Sequence, residues 1–129
     1  MLQFINAITL VVSNYDEAIQ YYVYALGFDL IEDYYFDEEK RWVLVAPPGA
    51  KETRILLAKA SNPEQKKSVG NQTGGRVFLF LQTDDFWQDY ERMKKNGVVF
   101  CETPREEDYG TVVVFQDLYG NRWDLLQRK

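Results

Sequence analysis

Apolar and polar residues recur along this chain in two similar successions. Phe4 to Val12 places Ile8, Leu10 and Val12 on one face of a strand and Ala7, Thr9 and Val11 on the other, so a strand largely covered on both sides is expected. Asn14 follows as a helix N-cap with Glu17 three residues on, and Tyr15, Ala18, Ile19, Tyr22 and Leu26 then recur at helical spacing until Gly27. Next come three strand-like runs, Phe28 to Phe36, Arg41 to Ala46 and Thr53 to Ala60. They are parted by the charged turn Asp37-Glu38-Glu39-Lys40 and by Pro47-Pro48-Gly49. The first half therefore reads βαβββ.

Ser61 to Gly75 is polar, contains Pro63 and three glycines, and reads as a linker with a short helical turn at Pro63 to Lys67. Beyond it the order repeats. Arg76 to Thr83 is a strand, Asp84 caps a helix with apolar positions Phe86, Trp87, Tyr90 and Met93, and Gly97 closes it. Val98 to Glu102, Tyr109 to Phe115 and Arg122 to Gln127 are the last strands. Gly27 and Gly97 stand 70 residues apart, as do Ser13 and Thr83. The spacing predicts an internal duplication in a single α+β domain, residues 1–129, with modules 1–60 and 76–129 joined by linker 61–75. Two such modules can pair their sheets into one curved cup.

Composition narrows the function. An aromatic content of 16% exceeds what a core of this size needs, and the surplus suits a pocket or a subunit contact. The net charge of −5, with no basic cluster, lacks the footprint of a nucleic-acid binder. No apolar run reaches the roughly 18 residues of a membrane span, so no membrane partner is expected. A single cysteine, Cys101, rules out an intrachain disulfide, and the N-terminus lacks the pattern of a signal peptide, so a cytoplasmic location is expected. With no histidine to activate it, Cys101 is expected to be a buried structural thiol.

The closing hairpin, Tyr109 to Gln127, carries Asp117-Leu118-Tyr119-Gly120-Asn121-Arg122-Trp123-Asp124-Leu125. This resembles the closing motif of the vicinal oxygen chelate superfamily, which holds glyoxalase I, extradiol dioxygenases, fosfomycin resistance enzymes and bleomycin resistance proteins. Ile5 to Phe28 is similar to the family's opening strand and helix, and the run LQTDDFWQDYERMKKNGV to the matching element of its second module. The resemblance spans nearly the whole chain. It implies two βαβββ modules forming a curved mixed-sheet cup with helices on the convex side, and it implies a homodimer.

Enzymes of that superfamily hold a divalent metal inside the cup through residues on four strands. Here the resemblance puts those positions at Ala7, Leu56, Phe78 and Asp124, of which Asp124 alone is a possible ligand. The chain has no histidine, and one carboxylate cannot hold a divalent ion against water. No metal or other cofactor is therefore expected. Apolar residues at those positions convert a metal cage into an apolar pocket, with Phe78 and Phe80 on its wall. Trp42 is a further candidate whose strand phase leaves pocket and core both open, and Tyr34 or Tyr35 could join it. Two roles are open for Asp124: pairing with an arginine (Arg122, Arg41, Arg76 or Arg105) or accepting a hydrogen bond or cationic group from a ligand. Trp123, in the opposite phase, is expected to pack under the helices. Thr103 to Gly110 reads as a charged rim loop that offers Arg105 and Tyr109 as contacts.

The resulting expectation is a metal-free protein that binds an aromatic or cationic small molecule in an apolar cup. The alternative is a glyoxalase I-like metal-dependent lyase with a divergent site around Asp124, and a third reading keeps the fold for association alone.

Overall fold

Two βαβββ successions account for the chain, and the computed structural model describes all of residues 1–129. It divides into two compact units, Met1–Val69 and Gly70–Lys129. In the first, β1 (Ala7–Val12) leads into α1 (Tyr15–Ile19), a π-helical stretch (Gln20–Ala25), β2 (Asp29–Tyr35), β3 (Arg41–Ala46), β4 (Arg54–Lys59) and α2 (Pro63–Ser68). The sheet order is β1-β4-β3-β2, with β1 and β4 parallel and the other pairs antiparallel. Leu10, Val12, Val43, Val45, Ile55 and Leu57 form the buried side of this sheet, on which Tyr15, Ala18 and Tyr22 lie. The opposite, open face carries Ala7, Thr9, Leu56, Leu44 and Trp42, a set fixed by the pairings Thr9–Leu56 and Leu44–Leu56.

The helix after β1 starts where its cap predicts, since Asn14 Oδ1 accepts from Glu17 N at 2.9 Å. It does not stay α-helical. Gly27 stands 13 positions after Asn14, whereas Gly97 stands 12 after the observed second cap, Asp85. The first unit takes up its extra residue by widening the turn over Gln20–Ala25, where Leu26 N reaches back to Tyr21 O.

In the second unit, β5 (Leu79–Gln82) is followed by α3 (Phe86–Lys95), β6 (Val99–Phe100), β7 (Arg105–Glu107), β8 (Gly110–Gln116) and β9 (Arg122–Arg128). The order is β5-β9-β8-β6, with β7 also on β8 and β5 parallel to β9. Trp123, 2% exposed, with Leu125, Val113 and Phe115 forms the buried side together with Phe86 and Met93 of α3.

Four sequence expectations are corrected here. Asp85, not Asp84, caps α3, its Oδ1 accepting from Gln88 N at 3.3 Å. The strand expected over Val98 to Glu102 is cut to two residues, and the expected loop from Thr103 to Gly110 contains β7, paired as Arg105–Val112 and Glu107–Gly110. The edge thus crosses β8 in two pieces with a gap between them. Finally, Cys101 is exposed, because it sits in that gap.

Candidate functional site

In the second unit the open face is set by register. Phe80 on β5 and Val114 on β8 lie directly opposite Asp124 on β9, so these three side chains share one face at adjacent strands. Phe80 is 65% exposed. Asp124 is half-buried, and its Oδ1 is fully covered yet has no hydrogen-bond partner. Burial lifts its carboxyl above the usual 3.8; Arg105 acts against that rise, and Glu102 adds to it.

The gap between β6 and β7 explains why Glu102 is there. Cys101 N still donates to Val114 O at 2.9 Å, but Val114 N finds no backbone acceptor across the gap. Glu102 Oε2 supplies one at 3.0 Å, and the same oxygen accepts from Arg105 Nε at 3.0 Å. Arg105 Nη1 donates to Glu107 Oε1 at 2.8 Å. These bonds, first that to Glu102 and then that to Glu107, drive the guanidinium pKa higher still. Arg105 is thus bound within the strand edge.

None of the four arginines considered for Asp124 hydrogen-bonds it. Arg41 is held by Asp16 at 2.7 Å and Asp33 at 2.8 Å, between the rings of Tyr15 and Tyr35. Arg105 belongs to Glu102 and Glu107, and Arg76 and Arg122 line a separate pocket at the hairpin end. Phe78 lies one residue before β5, and its ring meets Trp123 edge-on at 6.1 Å. Tyr109 stands exposed at the two-residue turn between β7 and β8.

The first unit resolves the phase of Trp42. It shares the open face with Leu44, pairs across with Tyr34, and its Nε1 donates to Glu32 Oε2 at 2.8 Å. Sequence reasoning passed over Arg54, which lies opposite Ala7 on that face. Its Nη1 donates to Glu52 O at 3.0 Å, while its Nε is covered and unpartnered. Its position two residues before Leu56 was the available signal. Glu102 was missed as a strand-edge residue because its role depends on the gap.

The family model of the Glyoxalase/Bleomycin resistance protein/Dioxygenase superfamily matches residues 4–125. This chain belongs to that superfamily. A protein of Shewanella frigidimarina (strain NCIMB 400) is 62% identical over 128 residues, covering 98% of this chain and 95% of its own. The crystal structure of TnmS3, described as an antibiotic binding protein from Streptomyces sp. CB03234, is 30% identical with a TM-score of 0.79, covering 99% of this chain and 98% of that one. The crystal structure of UcmS2 gives a TM-score of 0.84 at 26% identity, with 98% of both chains covered. The α+β fold with two mixed sheets is therefore that of the superfamily.

The superfamily often uses a divalent metal. Ala7 and Leu56 in the first unit offer no donor atom, and neither does Phe78 in the second. Asp124 alone remains, with its ionised form disfavoured by burial. No group of three or more His, Cys, Asp or Glu side chains is placed to hold a metal ion. The donor set does not fit a divalent cation.

Proposed function

We propose that this protein binds an aromatic or cationic organic molecule without a metal, with Asp124 and Phe80 as its anchors. The observation that carries the reading is the covered, unpartnered Oδ1 of Asp124 beside the exposed ring of Phe80. A buried acceptor with no donor is costly, and a ligand N–H or cationic nitrogen would remove that cost while the ring covers the ligand's apolar part. Val114 opposite completes an apolar border. Trp42 on the open face of the first unit offers a ring to the same class of molecule. The antibiotic-binding description of TnmS3 supports a small-molecule ligand.

The test is thermal denaturation against a panel of aromatic and cationic compounds. A binder at 100 times its Kd adds about 2.7 kcal/mol of stability. Phe80→Ala and Asp124→Asn should each reduce the shift, and a shift unchanged in both would remove these two residues from the site. Metal content of the purified protein tests the other half of the reading. Stoichiometric nickel, zinc, manganese or iron, with isomerase activity on a glutathione hemithioacetal, would overturn it in favour of a lyase.

A homodimer belongs to the same reading. β2 is the outer strand of its sheet and all seven of its residues are exposed, Tyr34 and Tyr35 among them, as is Phe36 just after it. No helix is long and apolar enough to cross a membrane. With that, the absence of basic clusters supports small molecules over nucleic acid as partners, and the single free cysteine suits a reducing cytoplasm.

A further inference from the structure

We propose that a second site, at the hairpin end of the second unit, binds a phosphate-type oxyanion. It is independent of the open-face site. The pocket there has a volume of about 160 Å³ and is bordered by Asn71, Thr73, Gly75 and Arg76 on one side and by Arg122 across the hairpin.

Three observations converge on an anion. Arg76 and Arg122 are both exposed, and neither guanidinium has an ion-pair or hydrogen-bond partner, in a chain whose net charge is −5. The backbone N–H groups of Asn71, Thr73, Gly75 and Arg76 make no hydrogen bond within the molecule. Gly74 and Gly75 have successive positive φ of 69° and 106°, a bend open to glycine, so that Gly75 borders the pocket with bare backbone. The pocket therefore combines two planar cations with unspent amide donors, a combination that recognises oxyanions through charge-assisted bonds.

The walls are built before any ligand arrives. Gln72 N donates to Asn121 Oδ1 at 3.0 Å, tying the glycine-rich segment to the hairpin turn. Gly70 is seated against the Tyr119 carbonyl so closely that a Cβ would lie 2.0 Å from its oxygen. The nearby acid, Asp117, is 3% exposed, and three donors hold it: Tyr119 N and Asn121 N at 2.9 Å, and Asn121 Nδ2 at 3.0 Å. Its charge is spent on the turn beneath the pocket. A volume of about 160 Å³ takes one oxyanion group, so the ligand is a free phosphate or the terminal phosphate of a larger molecule that extends into solvent.

The experiment is an amide NMR titration of the full chain at low ionic strength, with inorganic phosphate in one arm, methyl phosphate in another and chloride at matched ionic strength as control. Saturable movement of the Thr73, Gly75 and Arg76 amides beyond the chloride response is expected. Arg76→Gln and Arg122→Gln should each weaken it about tenfold. Equal affinity for methyl phosphate assigns the site to a terminal phosphate, and binding of inorganic phosphate alone assigns it to the free anion. A response no larger than chloride's, or one unchanged in the double variant, overturns the proposal. Both arginines are exposed, so the variants keep their fold, which their remaining amide positions check. The open-face reading is tested by thermal shift with organic compounds and this one by amide movement with phosphate, so failure of either is distinguishable from failure of the other.

Discussion

Asp117 and Asp124 stand seven residues apart on one hairpin and meet opposite fates. Asp117 receives three donors from its own turn, whereas the covered oxygen of Asp124 receives none and faces Phe80 and Val114. Asp117→Ala leaves those donors unsatisfied in a buried turn and should cost about 2–4 kcal/mol in chemical denaturation. Asp124→Asn should do the reverse. A carboxyl whose folded pKa is raised is a liability once ionised: the stability it allows is full below its unfolded value of about 3.8 and is lost as pH climbs through the folded pKa. The variant should therefore melt higher than the parent at neutral pH, and the gap should narrow as pH falls through the folded pKa and be gone below about 4. The same substitution should weaken a cationic ligand, so that stability and binding move in opposite directions. The sequence placed Asp124 on the face away from Trp123 by alternation alone; that neither Arg41 nor Arg105 hydrogen-bonds it follows from their own acidic partners.

At the scale of elements, the second unit's edge departs most from pattern. Val98 to Glu102 reads as a strand by composition, yet only Val99–Phe100 pairs with β8, because the edge breaks at Cys101 and resumes at Arg105. Glu102 spans the break by accepting from Val114 N. Glu102→Ala should cost about 1–3 kcal/mol and should speed hydrogen exchange at the Val114 amide while sparing Leu125 in the core. Gly110 marks the other end of this edge, where a Cβ would lie 2.1 Å from Gln127 O. Gly110→Ala should therefore shift the β8–β9 register, visible as lost exchange protection along both strands. The helices show the same division between pattern and context. Their caps and closing glycines are legible, but the π-helical turn over Gln20–Ala25 arises from a one-residue difference in length that becomes visible only once the second cap is placed at Asp85.

For the whole molecule, the proposed homodimer predicts a solution mass twice that of one chain by light scattering. Substituting Tyr34 and Tyr35 with serine on the exposed edge strand should halve it at micromolar concentration. The order βαβββ twice over was legible in the chain because strand alternation, helix spacing, caps and glycine turns are local, written within ten residues of where they act. The apolar residues at Ala7, Leu56 and Phe78 were equally plain. Tertiary structure alone decided the rest: which arginine meets which acid, that Glu102 serves a backbone amide twelve residues away, that Trp42 takes the open face, and that a glycine-rich linker closes on the hairpin to leave two arginines unpaired. Those facts depend on strand register and on the competition of several partners for one charge, and neither is set by any stretch of chain short enough to be read by itself.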